Sequence, residues 1–197
     1  MLLPLPSAAA ADFADRPSAV TAARIARFAC PATRMLLSSD GLTSTLLAAW
    51  LGTTVRVRRA HHRLVRAPQA PLGATALLRA GEADEFLVRR SVLAAGDGRD
   101  LSRNVVVARA GLLGAADRCL ADPSALLGET LHAAGTGHRR SVLDAGRRPW
   151  DAAGDAPAAY KTYVLWHGET PLVAISELFH PRVVPAELAA RPAGDAG

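Results

Sequence analysis

The chain has 197 residues, half of them hydrophobic, with a mean hydropathy of +0.13, which is enough apolar material for one core and excludes global disorder. Its 23 basic and 18 acidic residues give a formal charge of +5. Charged residues are only 21%, the arginines are scattered and no aromatic stacking motif accompanies them, so the charge argues against a nucleic-acid-binding protein.

Residues 1–16 are Ala- and Pro-rich and are expected to be a flexible N-terminal tail, with residues 17–190 forming a single domain. From Pro17 to about Ala29, Val20, Ile25 and Phe28 recur at helical spacing, and Pro31 is expected to stop that helix. Ser39-Asp40 then precedes Leu42, Leu46, Leu47, Trp50 and Leu51, which reads as a short amphipathic helix ended by Gly52.

The period then changes. Thr53 to Val65 alternates, with Val55 and Val57 on one side and Arg56 and Arg58 on the other, as in a strand. Residues 67–83 contain Pro68, Pro71, Gly73 and Gly81 and are expected to form a loop. Phe86–Ala95 and Leu101–Ala108 flank Gly96-Asp97-Gly98-Arg99-Asp100 and read as a hairpin. Helices are expected around Leu112–Leu120 and Pro123–Ala134, a strand over His138–Leu143, and a loop over Arg147–Pro157. A last hairpin joins Tyr160–His167 to Leu172–Phe179. Hairpins in series with a few helices give an α+β fold on an antiparallel sheet.

Several chemistries lack their residues. There is no phosphate-cradling glycine loop after a strand, no HExxH, no CxxC and no GxSxG. His61 and His62 are neighbours, so on a strand they face opposite sides and cannot chelate one metal. No metal or cofactor is therefore expected. Cys30 and Cys119 are too few for a disulfide framework and read as reduced thiols. The opening Met1-Leu2-Leu3-Pro4-Leu5-Pro6 lacks a basic segment, and no run of 18 apolar residues occurs. A cytoplasmic protein without membrane contact, monomeric or homodimeric, is the expectation.

What remains is charge inside apolar strands. Arg89 and Arg90 interrupt Phe86–Leu93, and one of the two must point inward because neighbours alternate faces. Burying a guanidinium is costly unless an anion meets it. Glu177 stands likewise in Leu172–Phe179. The bland alternative is a structural ion pair between Glu177 and one of these arginines.

These residues also fall within a resemblance. Leu36-Leu37-Ser38-Ser39-Asp40-Gly41-Leu42-Thr43 resembles the opening motif of the chorismate pyruvate-lyase (4-hydroxybenzoate synthase) family. The Leu87–Leu93 strand and its turn resemble that family's arginine-bearing hairpin. Leu126-Leu127-Gly128 is similar to its Pro-Leu-Gly helix start, and Ser176-Glu177-Leu178-Phe179-His180-Pro181 to its C-terminal Thr-Glu-Leu-Phe-Leu-Pro signature. The four pieces occur in order across residues 34–182. The resemblance implies a fold like the ligand-binding domains of certain transcription regulators, termed UTRA, with about six antiparallel strands and peripheral helices enclosing a ligand cavity.

The resemblance further implies a cofactor-independent lyase that eliminates pyruvate from chorismate to give 4-hydroxybenzoate for a quinone, glycolipid or secondary-metabolite pathway. In that reading Arg89 and Glu177 are catalytic. Arg89, with Arg90 as the alternative register, binds the ring carboxylate, and Glu177 meets the ring hydroxyl. Leu42 and Leu127 offer backbone amides to the ligand carboxylate. Lys161 is a further candidate cation, with Arg56, Arg58 or Arg103 as others for a second carboxylate. The alternative is a non-catalytic sensor or partner protein of the same fold that binds an aromatic acid. About 33 residues precede the first motif, too few for a helix-turn-helix domain, which favours the enzyme over a regulator.

Overall fold

The computed structural model describes residues 13–111, 122–133, 139–151 and 156–190. The helix expected around Leu112–Leu120 lies outside these residues. Six strands form one sheet: β1 (Val55–Arg66), β2 (Glu85–Ala95), β3 (Asp100–Arg109), β4 (Arg139–Pro149), β5 (Pro157–His167) and β6 (Thr170–Phe179). Their spatial order is β1-β2-β3-β6-β5-β4, and every neighbouring pair is antiparallel. The expected α+β architecture is therefore present. The β2–β3 turn closes where Gly98, at a φ of 88°, donates to the Ala95 carbonyl and the Asp97 carboxylate accepts from the Arg99 N–H.

Among the described residues, five helices are arranged around this sheet: α1 (Ser18–Ala26), α2 (Pro31–Ser38), α3 (Thr43–Leu51), α4 (Ala74–Leu77) and α5 (Leu127–Ala133). Pro31 does not merely stop a helix; it opens α2, where a missing N–H costs nothing because the first turn has no intrahelical acceptor for it. The helix expected over Pro123–Ala134 starts later, at Leu127. The 67–83 loop contains a 3-10 turn at Ala67–Gln69 as well as α4. The strand expected over His138–Leu143 runs on to Pro149, into residues expected to be loop.

The two faces of the sheet carry different covers. On one, Ile25, Phe28, Leu36, Leu37 and Leu47 from the first helices and their junctions pack on Leu93, Ala145 and Ala159. On the other, Phe13, Ala74 and Leu78 pack on Phe86, Val88, Val105 and Val164. Each fully buried Leu or Phe stabilises the fold by about 1.5–3 kcal/mol.

The end of the stretch expected to be a loose tail is anchored. Phe13 is buried and donates its N–H to the Leu72 carbonyl, and Arg16 reaches the buried Asp144 carboxylate at 2.9 Å. Asp144 also receives Arg24 Nη1 at 2.6 Å and the Tyr160 hydroxyl at 2.7 Å, so three partners hold α1 and the residues before it against β4 and β5.

Candidate functional site

A cavity of about 70 Å³ lies between the sheet and the starts of α3 and α5. At about 10–15 Å³ per water, that is room for several waters or a small solute. Strand alternation explains which residues reach it. Ser91, Asn104, Glu177 and Lys161 stand opposite one another across β2, β3, β6 and β5, so all four share one face. The neighbouring row on that face is Arg89, Val106, Ile175 and Tyr163. Helical cover comes from Gly41–Ser44 and from Ala125–Gly128.

Arg89 lines the cavity and is 2% exposed. One terminal nitrogen donates to the Ala125 carbonyl at 2.9 Å, while Nε has no partner. Burial pushes its guanidinium below the ordinary arginine value, with Asp122 opposing weakly. Among the described residues no carboxylate stands within ion-pair distance of it. Arg90 faces the other side of the sheet, opposite His61 in the β1 register, and does not line the cavity.

Glu177, 5% exposed, also lines the cavity. Its Oε2 accepts from the Thr43 hydroxyl at 2.7 Å and its Oε1 from the Tyr163 hydroxyl at 3.2 Å. Burial, and then the Glu177 charge, push the Tyr163 phenol well above its ordinary value, so that hydroxyl stays a donor at neutral pH. Leu42 and Leu127 line the cavity as well, Leu42 capping α3 and Leu127 opening α5. The first N–H groups of a helix lack carbonyl partners within it, which leaves the α3 amides available at this wall.

Lys161 has a different assignment. It is 1% exposed, lies outside the cavity wall, and donates to the Leu36 and Ser39 carbonyls at 3.1 and 3.2 Å. Those are the free carbonyls at the end of α2, so the ammonium caps that helix. Its Nζ is 3.8 Å from Glu177 Oε2. The other candidate cations are also engaged or remote: Arg58 pairs with Asp100, Arg103 donates to the Trp150 carbonyl, and neither these nor Arg56 line the cavity.

The sequence reading did not single out Thr43, Tyr163, Asn104 or Arg140, all of which line the cavity. Asn104 is 6% exposed and its Oδ1 has no partner. Its signal was a polar residue beside the apolar Val105-Val106-Val107, comparable to Arg89 in β2. Among the described residues, no three His, Cys, Asp or Glu side chains are placed to hold a metal ion. None of their helices is long and apolar enough to cross a membrane.

No protein-family model matches the sequence, and no curated protein matches it. Solved structures do match. PhnF from Mycobacterium smegmatis is 13% identical, with a TM-score of 0.57 and 78% of this chain and 70% of that one covered; the structure of its effector domain alone gives 14%, 0.56, 73% and 91%. The ligand-binding domain of a Bordetella bronchiseptica protein assigned to the GntR family of transcriptional regulators gives 12%, 0.52, 73% and 90%. The C-terminal domain of the histidine utilization repressor from Pseudomonas syringae gives 10%, 0.50, 70% and 96%.

These likenesses establish a UTRA-like fold and do not extend to the chorismate lyase family. They also overturn the expectation of an enzyme. The architecture that carried the lyase reading is shared with effector and ligand-binding domains of transcription regulators, and so gives the lyase no support. The count of residues before the first motif was therefore a poor discriminator between enzyme and regulator domain.

Proposed function

We propose that the chain is a non-catalytic binding protein, a sensor or a partner subunit, that takes a small aromatic carboxylic acid into the cavity between its sheet and the starts of α3 and α5. The observation that carries this reading is Arg89. A buried guanidinium without an ion-pair partner is unfavourable, and Glu177, the carboxylate of the same wall, is held by Thr43, Tyr163 and Lys161 instead. A ligand carboxylate accepting two N–H bonds from Arg89 removes that cost and fixes orientation. Val106, Leu165 and Ile175 would then flank the ring, and a ring hydroxyl would reach Glu177 or the unpartnered Asn104 Oδ1. Regulator domains of this fold supply the precedent for sensing; whether DNA is touched depends on what the chain assembles with.

The test is calorimetric titration of the full chain with 4-hydroxybenzoate, benzoate and 4-hydroxybenzamide, followed by chromatography of the ligand. The reading requires the acids to bind, the amide to bind much more weakly, and each compound to be recovered unchanged. Equal binding of acid and amide, or no binding by the folded protein at millimolar ligand, would overturn it.

A further inference from the structure

Arginines that lie far apart in the sequence are gathered by the sheet register onto the face opposite the cavity. Arg90 on β2 has His61 of β1 directly across from it. Arg63 is paired with Val88, and Arg59 and Arg103 are both paired with Val92, so all three are diagonal neighbours of Arg90 on the same face. Diagonal neighbours on adjacent strands stand about 7–8 Å apart, within reach of long side chains. Guanidinium groups from three strands thus share a patch two strand spacings wide, about 10 Å at the backbone.

Little negative charge balances this patch. His61 and Arg63 are exposed, and Arg59, Arg90 and Arg103 are half-buried. Among the described residues no carboxylate lies within ion-pair distance of any of the four arginines. Burial, and then the Arg63 charge, push the Arg90 guanidinium below the ordinary arginine value, whereas Asp100 and Asp151 partly offset the burial of Arg103. Like charges this close repel one another, and an anion seated across them removes the repulsion.

The make-up of the patch selects the class of partner. One acid group meets one guanidinium fork, so filling the patch takes a chain of anions and not a single small one. Protein interfaces carry an apolar centre, while nucleic-acid interfaces are polar and strongly positive. Among the described residues, none of the exposed large apolar side chains stands in these rows. The aromatic rings nearby are already covered: Arg103 lies 4.0 Å over the buried Trp150 ring, and Arg148 lies 3.7 Å over the buried Tyr160 ring. Neither ring offers its face to a base, which leaves the backbone as the part of the polymer that is held.

We infer that this face of β1, β2 and β3 binds the phosphate backbone of nucleic acid without reading its bases, with Arg90 at the centre of the contact. Planar guanidinium forks match phosphate oxygens in geometry as well as charge. The scatter that argued against such a partner belongs to the order of residues along the chain and not to the folded surface. The contact is the chain's own, in addition to any that an assembly partner makes, and it stands independently of the cavity and its ligand.

The experiment is fluorescence anisotropy of a labelled, mixed-sequence DNA duplex titrated with the full chain. Three phosphate contacts predict an affinity that falls about 40-fold between about 50 and 200 mM salt. Arg90→Gln should weaken binding about tenfold at the lower salt and reduce the slope of log affinity against log salt by about one, while Arg90→Lys keeps most of the affinity. Arg27→Gln removes the same charge at the exposed end of α1 and should leave the affinity unchanged. Circular dichroism and Tm establish that each variant folds. No binding at the lower salt, or equal weakening by Arg27→Gln and Arg90→Gln, overturns the inference. So does displacement of the duplex by polyglutamate at a lower concentration of charge than by unlabelled duplex, which would assign the patch to an acidic protein instead.

Discussion

Glu177 shares a cavity with Arg89 yet lies beside Lys161, whose Nζ is 3.8 Å from Glu177 Oε2. The structural ion pair that the sequence allowed between Glu177 and a strand arginine is not formed with Arg89. The acid is instead held by Thr43, Tyr163 and the lysine that caps α2, and the guanidinium keeps its Nε unpartnered. The site is thus assembled with its negative charge compensated and its positive charge open.

Replacing Arg89 by Gln should separate binding from stability. The variant loses a buried charge that has no counter-ion, so its Tm is expected to equal or exceed that of the wild type. Its affinity for 4-hydroxybenzoate should fall by about 10- to 100-fold, the worth of one or two charge-assisted hydrogen bonds. Thermal melts with and without ligand read both effects, and an unaltered ligand-induced shift would remove Arg89 from the site.

Lys161→Met should be destabilising for the opposite reason. It strips the end of α2 of its cap and leaves the Glu177 carboxylate buried without a cation, a loss of about 3–5 kcal/mol. Adding Glu177→Gln removes the orphaned charge and should restore a large part of that loss. Urea unfolding of the two single variants and the double variant gives the coupling directly, and strict additivity would show that the 3.8 Å approach carries no energy.

Gly73→Ala tests the anchoring of the N-terminal segment. Gly73 has a φ of 81°, and a Cβ there would run into the Phe13 carbonyl. The left-handed backbone alone costs an ordinary residue about 1–2 kcal/mol, and the collision adds to it. The expected outcome is a lower Tm together with faster proteolysis between residues 13 and 16, both measurable on the full chain.

His180 should make stability depend on mildly acidic pH. Burial holds its imidazole below the ordinary value of 6.5, Asp100 opposing and Arg182 and Arg103 adding to the depression. Its Nδ1 also accepts the Arg182 N–H at 3.2 Å, a bond that protonation of that nitrogen breaks. Because the folded value is the lower one, the unfolded chain binds more protons between the two. The contribution is therefore complete above 6.5 and is lost as pH falls through the depressed folded value. Tm measured from pH 7.5 to 5 should drop more in the wild type than in His180→Phe, which keeps the edge contact with Trp150.

Arg89 and Glu177 were legible in the sequence because each is a charge set in an apolar strand, where burial makes it conspicuous. Arg140 was not, since Arg139 and Arg140 open an edge strand whose exposed positions tolerate any polar residue. The same edge position hid the length of β4: Arg147, Arg148 and Pro149 lack the apolar alternation that a central strand needs. Thr43 stood inside a recognised motif, but its bond to Glu177 joins residues 134 positions apart and follows from how α3 docks on the sheet. The Pro31 boundary was misread because a proline that ends one helix is equally suited to begin the next.

The open side of β1 gives the scattered basic charge a purpose at the level of colloidal behaviour. This edge strand is twelve residues long and presents exposed Arg56, Arg63 and Arg66, while Arg58 pairs with Asp100. Unpaired strand edges invite sheet-to-sheet growth between molecules, and like charges along the edge oppose it. Two copies approaching edge to edge would bring guanidinium groups together near both ends of the strand. That guard has a range of about 8 Å at physiological ionic strength, so concentrated salt weakens it and leaves the backbone of β1 free to template aggregation.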